Sequence, residues 1–122
     1  MRSTGALTEG AVVTRAALRA AGRLGVTHKA LGRILGVSEA TVSRMGSAAY
    51  VLEPGSKPFE LAVLFVRLFR SLDAIVGGDE AVATAWLVNE NGALGESPLA
   101  LIQTVSGLAH VAGYLDARRA LV

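Results

Sequence analysis

The side chains with the most usable chemistry cluster in one short stretch: Thr27, Lys29, Ser38, Glu39, Thr41, Ser43 and Arg44. They are short hydroxyls, one carboxylate and two long cations. Hydroxyls and cations bond phosphate oxygens, while a guanidinium or a carboxylate also reaches base edges, with Glu accepting from the cytosine amino group. The stretch Lys29 to Met45 reads KALGRILGVSEATVSRM, which has the spacing of a helix-turn-helix. Leu31, Leu35, Val42 and Met45 lock its two helices together. Gly32 is small where the helices cross, Gly36 supplies the positive φ of a tight turn, and Val37 fills the space beneath it. Ser38 caps the recognition helix and turns its amides toward a phosphate. The expected roles are Arg44 and Thr41 at base edges or adjoining phosphates, Glu39 at a cytosine, and Ser38, Ser43, Thr27 and Lys29 on the DNA backbone. Two plainer readings fit the same residues. One is an ordinary helical hairpin in a core, and the other is a helix-turn-helix kept as scaffold.

Elsewhere the residue types argue against catalysis. Ser38 and Ser43 have no His–Asp pair nearby in sequence. His28 and His110 lack partners at i+3 or i+4, so no metal site is expected. Gly77–Gly78 is not followed by the Gly-Lys-Ser/Thr of a phosphate loop. The sequence has no cysteine, which excludes disulfides and thiolate metal sites and fits a reducing cytoplasm. Aromatic residues make up 5%, too few for a stacking surface along single-stranded nucleic acid. A non-enzymatic, cofactor-free protein is the expectation.

The elements that must position these residues read as all-α. No segment alternates apolar and polar over a strand length. A first helix is expected over 9–24, with Val12, Val13, Ala16, Ala17, Ala20 and Leu24 as its apolar stripe. Arg15, Arg19 and Arg23 line another face, either as an extended phosphate footprint or as a solvated charged face. Thr27 starts a helix over 28–35 and Ser38 one over 39–45. Residues 52–58, LEPGSKP, form the expected boundary, giving a DNA-binding unit over 1–52 and a second helical unit over 53–122. There a helix over 59–76, apolar nearly all round, must be central or lie in a dimer interface. Gly77–Gly78 breaks it, Asp79 caps a helix that ends near Asn89, and Ser97–Pro98 starts a helix running to about Thr104. A bend near Ser106–Gly107 precedes the last helix.

Charge divides at the same boundary. Of 122 residues, the first 58 hold eight Lys/Arg and three Asp/Glu, and the remainder hold four Arg and seven acids. The basic part suits phosphates and the acidic part a different task. The most apolar stretch, Leu61 to Phe69, is too short for a membrane span and carries Arg67, and no signal-peptide pattern is visible. One helix-turn-helix is too small for tight specific binding, so a homodimer reading a palindromic operator is expected. The excess of apolar residues after position 58 also predicts a partner protein or a second copy.

Trp86–Leu87, Asn91, Ala93–Leu94–Gly95, Pro98–Leu99, Thr104, Gly107 and Val111 occur in an order that resembles the toxin-binding domain of the Xre/MbcA/ParS antitoxins. The helix-turn-helix ahead of them resembles that of the same family. The resemblance implies an antitoxin that neutralises a RES-domain toxin acting on NAD, by degradation or ADP-ribosylation, forms a hetero-oligomer with it, and represses its own operon. It further implies Trp86, Asn91, Leu94 and Pro98 as toxin-binding residues, and an inhibitory tail at 116–122, DARRALV, at the mouth of the toxin's NAD pocket. Arg118 and Arg119 would there take the place of cofactor phosphates, with Leu121 and Val122 beside them. A charged, frayed terminus is the alternative for that segment. For the whole chain the alternative is a stand-alone repressor whose C-terminal half dimerises or senses a small ligand.

Overall fold

A computed structural model describes residues 8–121. Among these are seven helices and no strand: α1 Glu9–Leu24, α2 His28–Leu35, α3 Glu39–Gly46, α4 Lys57–Ile75, α5 Glu80–Val88, α6 Pro98–Leu101 and α7 Val105–Arg119. Each begins at a polar cap. Thr8, Thr27, Ser38, Ser56, Asp79, Ser97 and Thr104 all accept a hydrogen bond from the backbone N–H three residues on. Such a cap satisfies one of the donors a helix start leaves open, for about 1 kcal/mol. Gly25 and Gly36 close α1 and α2 in the left-handed conformation, where a side chain would be strained.

The helices share one core, with α4 at its centre. Phe65, Leu68, Leu72 and Ala62 of α4 are fully or almost fully buried. They pack with Ala17 and Leu24 of α1, Leu31 and Leu35 of α2, and Leu108 and Leu115 of α7. The segment after α3 is tied down rather than loose: Leu52 is buried, and its N–H donates to the Thr14 hydroxyl, which itself donates to the Gly10 carbonyl. A Cβ at Gly10 would run into the Leu52 carbonyl, so this glycine lets the segment lie against α1. Among the described residues no helix is long and apolar enough to cross a membrane.

Several local expectations need correction. The central helix begins at Lys57, not at 59, because Ser56 caps it and Pro58 fits its first turn. The helix expected over 98–104 stops at Leu101, and Thr104 caps α7 at once, so the break lies at 102–104. Gly107 is therefore no bend but part of α7, where a Cβ would collide with the Leu101 carbonyl. Gly32 lies against the turn and the start of α3, since a Cβ there would lie 2.7 Å from the Val37 carbonyl oxygen and 3.4 Å from the Glu39 nitrogen.

Candidate functional site

Two faces of the molecule carry the candidate residues. The first is α3. Val42 and Met45 anchor it in the core, while Glu39, Ala40, Ser43 and Arg44 are exposed and Thr41 is half-buried. Ser38, Thr41 and Arg44 form one chain of contacts. The Thr41 N–H donates to Ser38 Oγ at 3.0 Å, the two hydroxyls lie 2.9 Å apart, and Arg44 Nη2 donates to Thr41 Oγ1 at 3.0 Å. The guanidinium is thereby held along the exposed helix instead of sweeping freely. Thr27 spends its hydroxyl on the α2 cap, accepting from the Ala30 N–H, and Lys29 stands exposed in the first turn of α2.

The arginine row of α1 does not act as one face. Four helical residues turn about 40° past a full circle, so a row at i, i+4, i+8 winds round the helix. Arg15 borders a hollow with Met45, Gly46 and Tyr50, beside the end of α3. Arg19 faces a groove shared with α4. Arg23 pairs with Glu80 at 3.0 Å and Asp73 at 3.6 Å and lies over the Phe69 ring, cross-linking α1, α4 and α5. Of the three, Arg15 lies beside α3, together with the exposed Tyr50, which sequence reasoning missed.

The second face is α5. Only Ala83 and Leu87 are buried in this nine-residue helix. Val82 and Val88 are about half exposed, at 49% and 50%, and Ala81 and Ala85 are exposed beside them. Trp86 is half-buried and stacks on Tyr114 of α7, with ring centroids 6.4 Å apart. The Arg118 guanidinium also lies over the Tyr114 ring, 5.6 Å from its centroid. Tyr114, Val82 and Val88 were not singled out from sequence. The signal for the valines was present, because a short helix of almost only apolar residues has more apolar surface than one core contact can cover.

The remaining predicted residues are spread around this face. Asn91 is half-buried and accepts from the N–H groups of Ala93 and Leu94, closing the turn after α5. Leu94 is half-buried against the core, and Pro98 is buried in the first turn of α6. Leu121 is 87% exposed, and Val122 lies outside the described residues. The segment expected as a tail over 116–122 is still helical through Arg119. Asp116 fastens it: its Oδ1 accepts from the Ser71 hydroxyl at 2.7 Å and its Oδ2 faces the Arg67 guanidinium. The Ser71 hydrogen bond, with Arg67 and Arg119 nearby, holds the Asp116 carboxyl below the ordinary carboxylate value. Arg118 and Arg119 diverge, one over Tyr114 and the other toward a groove between α1 and α4.

Both faces lie in segments that match known family models. Residues 5–67 match the family model for the antitoxin Xre-like helix-turn-helix domain. Residues 71–120 match that for the antitoxin Xre/MbcA/ParS C-terminal toxin-binding domain. Among solved structures, a chain of the M. tuberculosis MbcT-MbcA toxin-antitoxin complex is similar with a TM-score of 0.68 and 20% identity, over 91% of this chain and 96% of that one. At that identity the likeness speaks for the fold. No curated protein sequence matches the chain.

Proposed function

Because the chain belongs to the Xre/MbcA/ParS antitoxins, we propose that it neutralises a cognate RES-domain toxin by covering that toxin's NAD-binding active site. The observation that carries this reading is the uncovered apolar face of α5. It lies within the residues matched by the toxin-binding domain, beside the Trp86–Tyr114–Arg118 stack. Val82, Ala85 and Val88 supply the dry centre of such an interface, where apolar burial contributes most of the affinity. Arg118 is steadied over Tyr114 at the edge of this face. Leu121 and Val122 extend the contact. Asn91, Leu94 and Pro98 act by shaping the turn and the α6 start behind it. The chain acts by binding alone.

The same protein represses its own operon through α3, in the cytoplasm, with the unit over 1–52 reading DNA and that over 53–122 holding the toxin. Arg44 and Thr41 read base edges, Glu39 a cytosine, and Ser38, Ser43, Thr27 and Lys29 the backbone, with Arg15 adding a phosphate contact. The test is co-expression with the neighbouring open reading frame, followed by co-purification and an NAD-consumption assay on the neighbour. A stable complex that consumes NAD only after this chain is removed supports the reading. A neighbour that neither binds the chain nor consumes NAD leaves a stand-alone repressor.

A further inference from the structure

The chain has two asparagines, Asn89 and Asn91, and only the second is followed by glycine. Asn91 is the hub of the turn between α5 and α6. Its Oδ1 accepts from the N–H groups of Ala93 at 2.9 Å and Leu94 at 3.2 Å. Its carbonyl accepts from the N–H groups of Leu94 and Gly95, and its own N–H donates to the Glu96 carbonyl. Gly92, by contrast, is exposed, and the fold asks nothing of it. Its φ is outside the left-handed region, and a Cβ there would meet no atom within 4 Å. Neither conformation nor packing therefore explains a glycine at this position. Its N–H donates to no group among the described residues. What Gly92 supplies is an unshielded main-chain nitrogen next to the Asn91 side chain.

We propose that Asn91–Gly92 is a site of spontaneous covalent modification, at which the Asn91 side chain is converted through a cyclic imide to aspartate and isoaspartate. The Gly92 nitrogen loses its proton to base and bonds to Asn91 Cγ, and the Cγ–Nδ2 bond breaks to release ammonia. Water then adds to either imide carbonyl and reopens the ring, so that the sequence consumes one water and releases one ammonia. Asparagine amides are among the thermolabile groups of proteins, and the turn adds to this. Negative charge develops on Oδ1 as Cγ becomes tetrahedral, and two backbone N–H groups already point at that oxygen. No side chain at 92 crowds the attack. Asn89 differs on both counts. It ends α5 with its N–H on the Ala85 carbonyl, and the side chain of Glu90 follows it. The two products differ in consequence. Aspartate keeps an acceptor in the place of Oδ1. Isoaspartate routes the main chain through the side-chain carbon, which lengthens it by one methylene and draws Ala93 and Leu94 away from the bonds that close the turn. Leu94, half-buried against the core, and the Ser97 cap of α6 follow directly, so this product loosens the surface behind α5. The chemistry involves neither toxin nor DNA, and it stands or falls apart from the proposed function.

The test is incubation of the full, folded chain in mildly alkaline buffer. Peptide mass spectrometry follows the mass gained when the side-chain NH2 becomes OH, and isoaspartate is read by its separate elution. Asn91 is expected to convert at least about tenfold faster than Asn89, and faster as the pH rises. Gly92→Ala is expected to melt with the native chain, since its Cβ enters open space, and to slow conversion of Asn91 by at least about tenfold. The same chain unfolded in urea measures what the turn contributes, and the folded chain is expected to convert at least as fast. Asn91 surviving as long as Asn89, a Gly92→Ala chain that converts at the native rate, or a folded chain that converts more slowly than the unfolded one would each overturn the proposal.

Discussion

The α2–α3 unit and helix α5 end up with opposite surfaces. In α2 and α3 almost every large apolar residue is inside: Leu31, Ile34, Leu35, Val42 and Met45 are buried, and the outside is Lys29, Arg33, Glu39, Ser43 and Arg44. In α5 the apolar residues exceed the core available to them, and Val82 and Val88 stay half exposed. The first unit buries its apolar residues in the shared core and offers charge and hydrogen bonds outside, which suit phosphates and bases. The second keeps an uncovered apolar face, which gains most from a partner that is itself apolar.

The largest effect tests whether the two regions share one core. Phe65, on the helix that touches both, is fully buried. Phe65→Ala is expected to cost about 3–5 kcal/mol. Urea unfolding followed by Trp86 fluorescence and by helical circular dichroism should keep one coincident transition. Two separated transitions would show that the regions fold independently. Next come the glycines that admit close backbone contact in each region. Gly32→Ala and Gly107→Ala should each cost about 1–3 kcal/mol, because the crowding atom is a backbone carbonyl that cannot swing aside. Equal melting of both variants and the native chain would refute those contacts.

Surface variants separate the two faces. Val82→Asp combined with Val88→Asp is expected to weaken toxin capture at least tenfold, while stability shifts by no more than about 0.5 kcal/mol and the band shift on upstream DNA stays intact. Arg44→Ala is expected to do the reverse, weakening DNA binding by about 1–3 kcal/mol and sparing toxin capture. The smallest effect concerns Asp116. Its depressed carboxyl stabilises the fold at pH values above the ordinary carboxylate value, and this contribution fades as the pH falls through its lowered native value. Asp116→Asn should therefore lower the melting temperature at neutral pH and bring the native and variant melts together in strong acid. A constant difference across that range would remove Asp116 from the account.

Much of the fold was legible because capping is local. Thr27, Ser38, Asp79 and Ser97 announce their helices within four residues, as do Gly25 and Gly36 at the ends. Ser56 and Thr104 were missed for the same kind of reason. Pro54, Gly55 and Pro58 make the first read as linker, and Ser106–Gly107 makes the second read as a bend. What depends on distant partners left no local mark. Arg23 looks like its neighbours in the row, but its partner Glu80 lies 57 residues away. Asp116 looks like a tail residue, yet Ser71, which holds it, is 45 residues back. The divergence of Arg118 and Arg119 follows from α7 running through both, since consecutive helical residues point about 100° apart.

The central claim is that two separate faces meet two different partners, and amide hydrogen exchange on the full chain tests it most directly. The chain would be measured alone, with the toxin from the neighbouring reading frame, and with upstream promoter DNA. The account predicts that toxin slows exchange in 80–88 and 105–119 while DNA slows it in 27–46. Protection by both partners over the same helix, or by toxin over 39–46 with 80–88 unchanged, would contradict it.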